Sequence, residues 1–361
     1  MIHIASNKRQ GLMMRTMRRW EMDGIGRDRL ILRERPIPVP GRHEVLVAVG
    51  AVALNHRDKM VVETGRGLSL AFPFTPGSDL AGRIVALGED AERFAIGDRV
   101  ISCFTPEWVD GLRAGTARTP GYRTLGGFFA GVLAEYVVLP EHWLVMAPES
   151  LDDAEASTLP CAALTAWFAL VERGHVRAGE TVLIRGTGGV ALFGLQFAKL
   201  HGATVIMSCS PEKGDRAREL GADHIIDRHR KDGLDALYAL TGDRGADHVL
   251  ETVGGAYLGQ SVQAAAVGGH IYQIGAIDGF DLSSPAMPLM MKDVTIHGIG
   301  TGHRRALEDM VRAVERVGMA PVLDSRFPMP ALPDALDRLD KGPFGKIVIE
   351  MAGGANQGGS I

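Results

Sequence analysis

The spacing of apolar and polar positions changes character along the chain. From about residue 28 to 148, short apolar runs are bounded by glycine and proline. Three of them, 44–49 (EVLVAV), 82–87 (GRIVAL) and 98–102 (DRVIS), predict strands. From about 150 to 300, β-rich runs alternate with helical stretches, the pattern of βαβ units on a parallel sheet. The predicted strands there are 181–185, 204–208, 224–226, 248–251, 270–274 and 294–298, with helices that include 190–201, 215–220 and 258–266. A helix over 304–317, a short helix after Pro333 and a last strand over 346–350 follow. The first dozen residues read as a loose tail or an upstream start, since Met13 and Met14 follow them, and 353–361 read as frayed. The pattern predicts an α/β protein of two domains, the first part β-rich.

Composition narrows the class without naming it. The 361 residues are 46% hydrophobic and 23% charged, as in an ordinary globular protein, and long enough for two cores. A formal net charge of -4 offers no basic field for nucleic acid or an anionic membrane. No apolar run approaches the roughly 18 residues that span a bilayer, and the charged opening stretch does not read as a signal peptide. Cys103, Cys161 and Cys209 are widely spaced, which suits neither a disulfide framework nor a zinc ribbon and points to a reducing, cytoplasmic compartment.

One motif carries chemistry. The predicted strand TVLIR runs into Gly186-Thr187-Gly188-Gly189-Val190-Ala191 and then into a predicted helix. Glycines permit a tight turn and close approach of backbone to a pyrophosphate, while a helix N-terminus presents free N–H groups to its charge. Ala191 stands at the usual third glycine and is small enough for close packing of helix on strand. A strand before, a helix after and a second strand from Thr204 turn a common glycine pattern into a specific one. An NAD-binding protein usually carries an acid at the tip of that second strand, about 20 residues past the first glycine. Here the tip reads Ser208-Cys209-Ser210-Pro211-Glu212-Lys213. Ser208 and Ser210 offer hydrogen bonds, and Lys213 with Arg228 offers charge to a 2′-phosphate, so NADPH is expected over NADH. Glu212 argues the other way, and both cations also read as ordinary solvated surface residues.

Beyond the loop, the ordered segments ALNHRD (53–58), PGSDLAG (76–82), GDRV (97–100), AEYVVLP (134–140), LPCAALTAW (159–167) and ETVLIRG (180–186) resemble the medium-chain dehydrogenase/reductase superfamily in its zinc-independent, quinone-oxidoreductase-like branch. The resemblance runs from about 28 to 350. It implies a GroES-like β-rich catalytic domain over 13–148 and 303–361, a Rossmann domain with a doubly wound parallel sheet over 149–302, and a cofactor cleft at their junction. Zinc-dependent relatives supply a Cys, a His and a later Cys or Asp to a catalytic zinc. The matching positions here are Asn55, Ser78 and Cys161, a poor zinc set. The stretch 104–133 also lacks the cysteines of a structural zinc lobe. No metal is expected, and Cys161 reads as a small buried residue at a helix start.

Without a Lewis acid, the resemblance implies hydride transfer to an acceptor already activated by conjugation, a quinone or an α,β-unsaturated carbonyl. The developing oxyanion then needs a hydrogen-bond donor. Asn55 is the candidate, and a turn residue bonding local backbone is the competing reading. Tyr136 would line the cleft or serve as a core aromatic, Thr165 would lie beside the nicotinamide, and His56 would contact the cofactor phosphate. Gly275, after the strand at 270–274, belongs to the cofactor set. Arg57 and Asp58 are expected to pair. The loop 105–129, with Trp108, Tyr122, Phe128 and Phe129, either caps the substrate site or covers a satellite apolar cluster. The run DVTIHGIG (293–300) predicts an edge strand suited to a homodimer. Two other functions fit the same residues: an alcohol dehydrogenase acting on an activated alcohol, and a dinucleotide-binding sensor without turnover.

Overall fold

The computed structural model describes residues 15–351. The readings of the first dozen residues and of 353–361 lie outside that range. In chain order, β1 (Thr16–Met22), β2 (Leu30–Pro36), β3 (Glu44–Leu54), α1 (His56–Thr64), β4 (Asp79–Leu87), β5 (Arg99–Ser102), β6 (Tyr136–Pro140) and β7 (Leu144–Met146) lead to a long helix, α2 (Asp153–Arg173). Then come β8 (Thr181–Arg185), α3 (Gly189–Leu200), β9 (Thr204–Cys209), α4 (Pro211–Glu219), β10 (His224–Asp227), α5 (Gly233–Thr241) and β11 (Ala246–Glu251). The chain continues through α6 (Tyr257–Ala264), β12 (Ala265–Gln273), α7 (Ala286–Met291) and β13 (Thr295–Gly298). It ends with α8 (Arg304–Val317), β14 (Leu323–Pro328), α9 (Leu332–Asp340) and β15 (Lys346–Glu350).

These elements form two units, one of residues 1–161 with 303–361 and one of 162–302. In the first unit a sheet runs β14-β15-β3-β4-β5-β7, with β6 also on β3 and β1-β2 as a separate hairpin. Inward residues such as Val45, Val47, Leu80, Ile84, Val100, Ile347 and Ile349 are fully buried and make its core. β3 runs five residues past its predicted end. Gly50 reads as a terminator in sequence, but here it sits at a register shift between Val49 and Ala51. A side chain at 50 would strike the Asp153 carboxylate at 2.1 Å, so the glycine is a point of close approach. Asp153 in turn binds Arg99 at 2.7 Å. Those ties place the start of α2 in the first unit, so the division falls after Cys161 and not after the predicted 148.

The hairpin β1-β2 escaped the periodicity reading because its strands are dense in charge. Glu21, 1% exposed, is held by Arg35 at 2.8 Å and by Arg19. Burial pushes its carboxyl up, but those guanidinium bonds outweigh burial and leave it below the ordinary value. The periodicity likewise does not predict α1, α5, α7 or β14. α2 corrects another expectation: at 21 residues it is long and apolar enough to cross a membrane by length and composition, and its most apolar stretch is 83% buried in the fold. Scattered Thr, Pro and Cys hid that run from a search for unbroken apolar sequence.

The second unit holds a parallel sheet in the order β10-β9-β8-β11-β12-β13. Numbered within the sheet this is 3-2-1-4-5-6, and the order reverses between β8 and β11, where such sheets bind ligands beyond their strand ends. β8 is central and almost wholly buried, so its run TVLIR is apolar up to a final arginine. α4 starts four residues before its predicted start, at Pro211, which suits the first helical turn.

The hairpin is tied to the C-terminal return of its own unit by Trp20, whose indole Nε1 donates to the Met329 carbonyl at 2.9 Å in a buried setting. Trp20→Phe keeps the ring but leaves that carbonyl without its donor. We expect a loss of about 1–3 kcal/mol, measured by chemical denaturation; an unchanged midpoint would show that the carbonyl finds another partner.

Candidate active site

In the second unit, β8 delivers the glycine loop. Gly186 has φ 83°, a left-handed conformation that favours glycine, and its N–H donates to the Ser208 carbonyl at the end of β9 at 2.8 Å. Thr187 is buried, and Gly188 is the N-cap of α3. Leu192 makes a backbone bond to Gly188 at 3.0 Å, and the N–H groups in the first turn before it are those a helix leaves for a ligand. A Cβ on Gly188 would meet nothing within 4 Å, so the loop fronts open space on the side a pyrophosphate would take. Gly189 and Val190 begin α3, and Ala191 is buried. The close approach of helix to sheet falls one turn later than expected: a Cβ at Gly194 would lie 2.5 Å from Leu250 Cδ2. These residues fit a dinucleotide.

Behind the loop lies a buried ion pair that sequence reading missed. Arg185, the last residue of β8, meets Glu251, the last of β11, at 3.0 Å, and its Nε donates to Ser261 Oγ at 3.0 Å. Glu251 also accepts the backbone N–H groups of Val253 and Gly254, at 2.9 and 3.0 Å. The pair locks together the two strand ends that flank the reversal point. Charged residues ending two apolar strands were the available signal. Gly275 belongs to the same seam, because a side chain there would sit 1.9 Å from the Thr252 carbonyl oxygen. The structure thus gives Gly275 a packing role.

At the end of β9, Ser208 and Ser210 are both nearly buried. The Ser210 hydroxyl donates to Glu212, which explains that carboxylate's presence at an otherwise cationic corner. Arg228 is brought there by its backbone N–H on the Cys209 carbonyl at 2.9 Å, and Lys213 by its own on the Ser210 carbonyl at 3.1 Å. Burial and Glu212 raise the Cys209 thiol pKa, with Lys213, Arg218 and Arg228 acting the other way, so three cations and one carboxylate lie around this strand end. Thr165 is buried on α2 in this unit.

In the first unit, three strand ends converge. Ala53 pairs with Asp79, and Leu54 pairs with Ile347. That register sets Asn55, Ser78, Asp79 and Lys346 side by side. Lys346, 4% exposed, donates from Nζ to the Leu54 carbonyl and to Asn55 Oδ1, each at 2.6 Å. Asn55 Nδ2 donates to Ser78 Oγ at 3.3 Å, and the Ser78 hydroxyl donates to Asp79 Oδ1 at 2.6 Å. Asp79 Oδ2 accepts the Cys161 backbone N–H at 3.1 Å. Asn55 also fixes the start of α1, its N–H donating to Asp58 Oδ2 at 2.8 Å. Burial pushes the Asp79 carboxyl up to about 6, against the pull of the Lys346 charge. Burial likewise raises Asp58 and holds the Cys161 thiol well above its ordinary value.

Cys161 departs from its reading as a residue at a helix start. It lies in a wide turn over Leu159–Ala163 inside α2, half-buried, beside Asp79. His56 is the exposed first residue of α1. Tyr136 opens β6 opposite Ala48 and packs against the core cluster. Among the described residues, no hydrogen bond joins Tyr136 to Asn55.

The loop 105–129 does two jobs. Arg57, buried beside Asp58 at 3.3 Å, donates to the carbonyls of Leu125 at 2.6 Å and Gly126 at 3.0 Å and to Thr124 Oγ1 at 3.2 Å. The Tyr122 hydroxyl is pushed up to about 12 by burial and then by the neighbouring Cys161. This part of the loop therefore borders the Asn55–Cys161 cluster. The other part serves packing: Trp108 stands edge-on to His303 at 5.3 Å, and its carbonyl accepts the Arg304 N–H at 2.9 Å at the start of α8.

Comparison with known proteins agrees with this fold. Residues 41–149 match the family described as alcohol dehydrogenase GroES-like domain, and 189–316 match the one described as zinc-binding dehydrogenase. A zinc-type alcohol dehydrogenase-like protein of Schizosaccharomyces pombe is 38% identical over 339 residues, 90% of this chain and 96% of the relative. The human quinone oxidoreductase is 26% identical over 348 residues, 93% of this chain and 98% of its own. A crystal structure of a putative alcohol dehydrogenase from Sinorhizobium meliloti 1021 superposes with a TM-score of 0.91 at 58% identity, covering 94% of this chain and 99% of that one. The chain belongs to the medium-chain dehydrogenase/reductase superfamily. It is an oxidoreductase of that family, whose members bind nicotinamide dinucleotides.

The raised Asp79 pKa has a thermodynamic consequence. The folded protein holds this proton more tightly than the unfolded chain, so stability from Asp79 is complete below the ordinary value of 3.8 and is lost as pH rises through about 6. Asp79→Asn stays neutral throughout. Its Tm relative to wild type should therefore climb as pH rises across that window, and a constant difference would contradict the assignment.

Proposed function

We propose that this protein is a metal-free, NADPH-dependent reductase of quinones or α,β-unsaturated carbonyls. The observation that carries this reading is the occupancy of the Asn55–Ser78–Cys161 cluster by the Lys346 ammonium, 2.6 Å from Asn55 Oδ1. A dication brought to that oxygen would meet a buried positive charge. The remaining donors are a hydroxyl already committed to Asp79 and a single thiol, fewer than the three protein ligands of a catalytic zinc. The bound nicotinamide supplies hydride. An acceptor activated by its own conjugation then needs a hydrogen-bond donor at its oxygen in place of a Lewis acid. An amide nitrogen carries two protons, and Asn55 Nδ2 has two neighbouring acceptors, Ser78 Oγ at 3.3 Å and the Asp79 carboxylate. This amide is assigned to the acceptor oxygen, which takes the place of one of those bonds when substrate is bound.

The corner formed by Ser208, Ser210, Lys213 and Arg228 supports NADPH over NADH, since no acid ends β9 and cations gather there. A homodimer through the edge strand β13 is supported by exposed Ile296 and by Met287, Met290 and Met291 on α7. Three cysteines without a disulfide suit a reducing cytoplasm. The names of the yeast and Sinorhizobium relatives favour a second reading, oxidation of an activated alcohol.

A screen of NADPH and NADH oxidation over quinones, enones, enals and ketones, with alcohols plus NADP as the reverse arm, separates the readings. Turnover of conjugated acceptors by protein without stoichiometric zinc is expected. Alcohol oxidation alone, or activity that chelators abolish and zinc restores, would overturn the proposal. For the phosphate assignment, Lys213→Ala should raise the NADPH KM about tenfold, the worth of one charge-assisted contact, and leave the NADH KM unchanged. Equal effects on both cofactors would remove Lys213 from the 2′-phosphate site.

A further inference from the structure

We propose that Lys346 is the positioning residue for Asn55: its buried ammonium fixes which end of the Asn55 amide faces the acceptor and polarises the N–H that donates to it. The inference rests on the reductase reading for what the donor acts upon, but its geometry stands on the first unit alone.

An asparagine amide has two orientations related by a half-turn, nearly equal in shape and opposite in hydrogen bonding. Lys346 distinguishes them. With Oδ1 toward Nζ, the 2.6 Å contact is a charge-assisted hydrogen bond. With the amide turned over, Nδ2 would face an ammonium that has only protons to offer. Ser78 cannot repair that arrangement, because its hydroxyl proton is committed to Asp79 Oδ1 at 2.6 Å. The bonds therefore run in one direction, from Lys346 to Asn55, from Asn55 to Ser78 and Asp79, and from Ser78 to Asp79. A cation on the carbonyl end of an amide withdraws electron density from its nitrogen and strengthens both N–H donors. The lysine keeps its proton throughout and transfers none. It brings positive charge to a substrate oxygen through an intervening amide.

Two alternatives are open to test. A lysine at this burial is also the counter-ion of Asp79 and Asp58, both of which feel its charge. A lysine is also an ordinary ligand for a cofactor phosphate.

Lys346→Met alone takes the cation from Asp79 and leaves Asp58 with Arg57 only, so this single variant can fail to fold. Lys346→Met combined with Asp79→Asn rebalances the charge, and Asp79→Asn is its reference. The first readout needs no turnover. The Asn55 side-chain amide pair in a 1H–15N spectrum, assigned by its loss in Asn55→Ala, should shift and exchange faster in the double variant than in Asp79→Asn. An amide pair unmoved by loss of the lysine would overturn the proposal whatever the enzyme reduces. The second readout is kinetic. The double variant should lose on the order of tenfold to a hundredfold in kcat with a quinone or enone acceptor, within the range for a weakened oxyanion donor, while its NADPH Kd stays within about twofold. Removing the lysine in an Asn55→Ala, Asp79→Asn background should cost nothing further, because the two side chains act as one unit. Additive losses would leave Lys346 as a counter-ion only. A weakened NADPH Kd with unchanged kcat would make it a phosphate ligand. If the wild type reduces no acceptor in the panel, the reductase reading fails, and the amide spectrum still decides the role of Lys346.

Discussion

A lysine ammonium removed from water must be compensated on the spot, because bare burial of such a charge costs several kcal/mol even after the protein relaxes. Lys346 satisfies that requirement with the Leu54 carbonyl and the Asn55 amide oxygen, within a field set by Asp79 and Asp58. The partners come from several pieces of chain. β3 brings Leu54 and Asn55, β4 brings Asp79, α1 brings Asp58, and β15 returns from the far end of the sequence with the lysine. A slip of one residue in the pairing of β15 with β3 would turn the ammonium to the other face of the sheet and leave Asp79 without its cation. The register of the sheet and the chemistry of the cluster are thus a single constraint.

The second unit depends on a similar device in a different place. Its glycine loop needs a fixed strand end on either side of the point where sheet order reverses. The buried pair of Arg185 and Glu251 supplies that, with Ser261 and two backbone N–H groups using the remaining bonding capacity. The loop is left to a left-handed Gly186 and an open-faced Gly188, so its peptide groups are not covered by side chains at those positions. In both units a buried charge at a strand end fixes a neighbouring amide: the Val253 and Gly254 backbone N–H groups on Glu251 in one, the Asn55 side chain on Lys346 in the other.

Much of this was legible in the chain. The strand TVLIR and the helix after it were predicted to within a residue, because a fully buried parallel strand must be apolar and a phosphate loop must be glycine-rich. The superfamily was legible from short ordered segments. Errors came where local signals conflicted with contacts. Gly50 looked like an end and is a point of close approach; the charged hairpin β1-β2 looked like loop because its polar residues pair with each other; α2 was hidden by scattered Thr, Pro and Cys.

By itself the sequence determined two folding units, a glycine-rich loop after β8 and the identities of Asn55 and Ser78, since those are matters of residue type and spacing along one stretch of chain. It could not assign Lys346 to Asn55, 291 positions away, or show that Gly194 takes the packing role expected of Ala191, or that the loop 105–129 borders the cluster through Tyr122 and Arg57. Those facts follow from strand register and helix rotation, which bring distant residues within ångströms. No local pattern of polarity encodes a distance between two strands.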